Sequence, residues 1–117
     1  MKEGSSGRRL INDGLANVAS ILGGAPEAGV AVLAGTDLHL AHGDVGVEVA
    51  GLNRYGLSVT DAQAAATESA FRYFGSPRKL AAGAPADLVC FPSNPLAGLA
   101  VLGRPSFIMR RGRVIHR

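Results

Sequence analysis

Three features predict an α/β fold for this chain of 117 residues. Val30 to Leu33 is apolar and partly β-branched with no polar alternation, the pattern of a strand buried on both faces in a parallel sheet covered by helices. Helical periodicity lies on either side of it, joined by loops of the length usual in α/β units. Near Lys79 the character changes to short β-rich runs punctuated by Pro and Gly, which marks a subdomain boundary.

The composition bounds what such a chain can do. It is one domain at most, with 47% apolar residues but only 5% aromatic, which suits close helix-on-strand packing better than an aromatic-rich binding surface. The formal charge is +3, and much of the basic excess sits in Arg104, Arg110, Arg111, Arg113 and Arg117. With no aromatics interleaved, these arginines read as a solvated hairpin rather than a nucleic-acid surface. Cys90 is the single cysteine, so no intrachain disulfide forms, and its strand-like apolar setting predicts a buried, inert thiol. Residues 1–9 lead into no uninterrupted apolar stretch and nothing is long enough to span a bilayer, so a cytoplasmic location is expected.

In chain order, residues 1–9 are polar and glycine-rich and are expected to be a flexible lead. From Asn12 or Asp13 as cap, Leu15, Val18, Ala19 and Leu22 recur at helical spacing until Gly23, Gly24 and Pro26. Asp44 can cap a second helix with Val45, Val49 and Leu52 on one face, ending near Gly56. Thr60 with Gln63 reads as a capping box for a third helix, whose stripe of Ala62, Ala65, Ala66, Ala70 and Tyr73 implies close packing. Gly75 and Pro77 end it. In the remainder, Asp87 to Phe91 reads as a strand, and Phe107 to Met109 with Val114 and Ile115 reads as a hairpin around Arg111 and Gly112.

The chemistry centres on Asp37. Ala34, Gly35 and Thr36 allow close backbone approach, and an acid then arrives at the carboxyl end of the predicted strand, where α/β sheets and barrels place ligands. There Asp37 can ligate a metal ion and take a proton from bound water; equally, it can close an Asx-turn or cap the next segment. His39 and His42 follow at a spacing that fits no metal motif, so they are expected to line a pocket or contact substrate rather than ligate. No phosphate loop, carboxylate pair or Ser-His-Asp arrangement is present.

Taken in order, AGVAVLAGTD, SVTDAQAAATESAFRYFG, GAPADLVCFPSNPL and PSFIMRRGRVI resemble the carboxyl-terminal part of the amidohydrolase superfamily, the metal-dependent hydrolases that include imidazolonepropionase-like and prolidase-like enzymes. The resemblance implies a fold: the carboxyl-terminal fragment of a (β/α)8 TIM-like barrel over residues 10–78, followed over residues 79–117 by strands of a small β-sandwich. It also implies chemistry on amide or cyclic amide C–N bonds, with a divalent metal, zinc above all, and Asp37 as metal ligand and general base. His39 and His42 then fall in a substrate-binding loop, while Ala86, Asp87 and Leu88 are structural. The family's metal site also uses a His-x-His pair and further histidines that this chain lacks. The implied entity is therefore an incomplete enzyme, inactive as this chain alone, whose partner is the rest of the barrel or another chain. A noncatalytic α/β module that completes a sheet with a partner chain is the alternative reading.

Overall fold

No proline occurs before Pro26, so nothing in the backbone stops a helix between Glu3 and Gly24, and that whole span is α1. In the computed structural model, which describes residues 3–37, 44–76 and 80–116, α1 thus starts well before Asn12 and includes most of the expected flexible lead. After α1 the chain turns through residues 25–29 and runs from Val30 to Thr36 without helix, turn or bend.

The next helix, α2, spans Val45–Arg54, and Val49 and Leu52 are its buried residues. It stops on Gly56, whose φ of 125° excludes ordinary side chains. There the Leu57 N–H donates to Leu52 O and the Gly56 N–H to Asn53 O, so two carbonyls of the last turn are satisfied and Leu57 is folded back onto Leu52 in the core. A Cβ at Gly56 would also lie 2.7 Å from the Ala19 carbonyl oxygen, so this turn is where α1 docks.

The expected third helix is two. Helix α3 spans Val59–Ala65 and α4 spans Glu68–Tyr73. The cap is Ser58, two residues ahead of Thr60: Ser58 Oγ accepts from the Asp61 N–H at 3.0 Å. Ser58 and Asp61 have the same capping spacing as Thr60 and Gln63, and only one pair can start the helix. The break follows from Thr67, whose hydroxyl donates to Gln63 O at 2.9 Å, a side-chain bond to the preceding turn that bends helices. Helix α4 ends at Gly75 (φ 68°), with the Ser76 N–H on Phe71 O and the Gly75 N–H on Arg72 O.

The last segment forms a three-stranded antiparallel sheet in the order β1 (Leu88–Cys90), β2 (Phe107–Arg110), β3 (Arg113–His116). Leu88 pairs with Met109 and Cys90 with Phe107. Arg111 and Gly112 both have positive φ, 49° and 74°, which is the two-residue turn whose twist matches a hairpin. Asp87 Oδ1 accepts from the Arg111 N–H at 2.6 Å and Ala86 O from the Gly112 N–H at 3.1 Å, so the Ala86-Asp87 pair holds the hairpin tip. A short 3₁₀ turn over Leu99–Gly103 joins the sheet to the helices: a Cβ added at Gly46 of α2 would lie 2.9 Å from Leu102 Cβ.

These elements correct the expected α/β barrel fragment. The described residues form a small α+β unit of four helices and one antiparallel sheet, built from strands that are neighbours in sequence. Val30 to Leu33 belongs to no sheet, because a parallel strand needs neighbours and the described residues contain none for it. Rather than being buried on both faces, Val30 is exposed and Val32 and Ala34 are half-buried against the core. Among the described residues no second sheet covers β1 to β3 to make a sandwich, no sheet residue is buried, and Cys90 is exposed rather than shielded. The core is small: Val49, Leu52, Leu57, Ala62 and Ala65, joined by partly buried Leu22, Val32, Leu99 and Leu102.

Two measurements check this account. Gly56→Ala meets both a forbidden φ and the Ala19 carbonyl, and is expected to cost about 2–3 kcal/mol, whereas Gly75→Ala, with open space around it, costs about 1 kcal/mol; urea midpoints should separate the two. Asp87→Ala removes the acceptor for the Arg111 amide and should lower stability by about 1 kcal/mol, with Asp87→Asn retaining most of it, as read from amide exchange at the hairpin.

Candidate functional site

The run from Val30 to Asp37 is fixed at two points. Val30 N–H donates to Ala25 O at 2.9 Å, and Ala34 N–H donates to Ala65 O at 3.0 Å. The second bond exists because the helix breaks. In a continuous helix the Ala65 carbonyl would accept from the amide four residues on; with the chain turning at Ala66 and Thr67, it accepts from Ala34 instead. Among the described residues, the amides of Ala31, Val32 and Leu33 have no such partner.

Three residues past that anchor stands Asp37, at φ 48°. Left-handed backbone is costly for most side chains and tolerated best by Asn and Asp. The only other described non-glycine residue in that region is Arg111, where the hairpin turn requires it. Asp37 stands in a turn at the end of the anchored, glycine-containing run. Its side chain is exposed rather than walled in by apolar groups.

The predicted substrate-loop residues His39 and His42 lie outside the described residues. Of the other candidates, His116 is at the sheet edge with its Nε2 3.1 Å from Pro105 O, far along the chain from the Asp37 turn. Arg110, Arg111 and Arg113 are exposed around the hairpin turn. Among the described residues no three His, Cys, Asp or Glu side chains converge as metal ligands. The described donor set therefore does not fit a divalent metal by itself: Asp37 supplies one carboxylate where such a site takes at least three protein ligands.

The same run borders a cleft of about 360 Å³ at its other end. Val30 and Val32 form one wall with Leu57, and Ser69, Arg72 and Tyr73 of α4 form another. Sequence reading missed these last three. The signal was available in the three-residue spacing of Ser69 and Arg72, which places both on one side of a helix, but only once α4 is separated from α3. Asp37 does not line this cleft.

Comparison with known proteins adds length rather than chemistry. No family model matches the chain. Proteins from Mycobacterium tuberculosis, in strains H37Rv and CDC 1551, and from Mycobacterium bovis are each 43% identical to it over 91 residues, 76% of this chain. Each is described only as an uncharacterized protein. The chain spans 24% of the length of these curated relatives. No helix among the described residues is long and apolar enough to cross a membrane.

Proposed function

We propose that the chain works as one segment of an amidohydrolase-like, metal-dependent hydrolase of C–N bonds, cytoplasmic in location, and that it is catalytically silent alone. The observation that carries this reading is Asp37. A carboxylate stands at φ 48° at the end of a run of small and β-branched residues. A non-glycine residue in left-handed backbone is the kind of feature that functional sites retain. Such a carboxylate supplies an oxygen ligand and a proton acceptor, and an amide hydrolase needs both. The remaining ligands, zinc being the metal the resemblance implies, would come from the larger part of a protein as long as the mycobacterial relatives. His39 and His42 would contact the amide substrate.

A second reading is supported by the unpaired amides of Ala31, Val32 and Leu33. A run whose amides at three successive positions have no partner among the described residues suits an interaction module that pairs with a strand of a partner chain.

The purified chain, given zinc or manganese, is expected to hold less than one equivalent of metal by mass spectrometry and to hydrolyse no amide or cyclic amide in a substrate panel. The full-length M. tuberculosis relative is expected to hold metal and to turn over at least one member. Stoichiometric metal with turnover by this chain alone would refute the segment reading, and a metal-free, inert full-length relative would refute the hydrolase reading.

A further inference from the structure

The N-terminal half of α1 has little to support it. Gly7 and Gly14 both lower helix propensity, and an isolated helix of this length is marginal in water. Only its C-terminal end touches the core, through Leu22 and through the approach of Gly56 to Ala19 and Gly23. Yet Leu10 is 75% exposed, Ile11 64%, Val18 43% and Ile21 68%. Gly7, Ile11, Gly14, Val18 and Ile21 follow one another at steps of four, three, four and three residues, which is the repeat that keeps one seam facing a partner helix. Space is open at both glycines, with no atom within 4 Å of a Cβ built on either.

We infer that this seam joins two copies of the chain through antiparallel α1 helices. The seam is complementary to itself in that direction. With Gly14 opposite Gly14 at the two-fold axis, Gly7 faces Ile21 of the second copy, since each lies seven residues from the axis, and Ile11 falls beside Val18. Each Ile21 then meets a glycine and each Ile11 the smaller Val18, and the central glycines let the backbones approach. A parallel pair would set Ile21 against Ile21 and bring Arg8 beside its own copy. The antiparallel pair instead brings Arg8 toward the carboxyl end of the other helix, where the backbone carbonyls are negative.

Surface area supports a second copy. The chain exposes 8983 Å², whereas a compact monomer of 12.0 kDa exposes about 6,000 Å². The difference leaves ample surface for the roughly 800 Å² that each partner gives to a standard interface. The inference does not rest on the hydrolase reading, and an inactive dimer satisfies it.

Sedimentation velocity from micromolar to near-millimolar concentration is expected to show a dimer of twice 12.0 kDa. Ile11→Glu combined with Val18→Glu should give a monomer, as should Gly14→Leu, while Ala16→Glu on the opposite side of the helix leaves the dimer intact. In a Cys90→Ser background, Gly7→Cys mixed with Ile21→Cys should form the mixed disulfide in preference to either homodimer, which tests the direction even if the glutamate variant fails to fold. A monomer at every concentration, indiscriminate aggregation, a dimer that survives the two glutamates, or cross-linking of Gly7→Cys only to itself would each overturn the proposal.

Discussion

The hydrogen bond from the Ala34 amide to the Ala65 carbonyl ties together the parts of this molecule that carry chemical interest. It depends on the interruption between α3 and α4, because an unbroken helix would use that carbonyl internally. It draws Val32 and Ala34 against the Ala62 and Ala65 face, where only small side chains leave room for a neighbouring backbone. It also fixes the position from which Gly35, Thr36 and Asp37 extend. The small residues of α3, the bend at Thr67 and the left-handed aspartate are thus one device.

Around that device the apolar surface is only partly enclosed. The radius of gyration is 17.1 Å, against about 13 Å for a compact domain of this length, and the long axis reaches 61 Å. Burial is concentrated where α2, α3 and the Leu99–Gly103 turn meet, while the outer half of α1 and both faces of the sheet remain largely accessible. Stability from so small a core is modest, and single backbone features such as the Gly56 turn accordingly carry a large share of it.

Local signals in the sequence were legible where the chemistry was local. Gly75 stops α4, Gly112 with Arg111 makes the hairpin turn, and Val49 and Leu52 face the core, each for reasons contained within a few residues. Errors arose where a local pattern required a distant partner. Val30 to Leu33 has the composition of a buried strand, but a strand is defined by neighbours, and the described chain offers it a helix terminus instead of a sheet. Cys90 read as buried because its neighbours are apolar, and it is exposed because no second layer covers the sheet. The capping pair was misplaced by two residues because Ser58 with Asp61 and Thr60 with Gln63 satisfy the same rule. Of the candidate site, the left-handed backbone of Asp37 was not legible, because the sequence reading set that residue at the end of a sheet strand, and the cleft residues Ser69 and Arg72 depended on a helix break that composition did not announce.

Gly46 has a consequence for geometry at larger scale. The missing methyl group there lets Leu102 settle against α2, and through the Leu99–Gly103 turn this contact sets how the sheet is carried on the helical half. A few tenths of an ångström at that fulcrum become several times larger at the Arg111-Gly112 tip. The tilt of the whole hairpin is in that sense recorded in one hydrogen atom standing where other residues have a carbon.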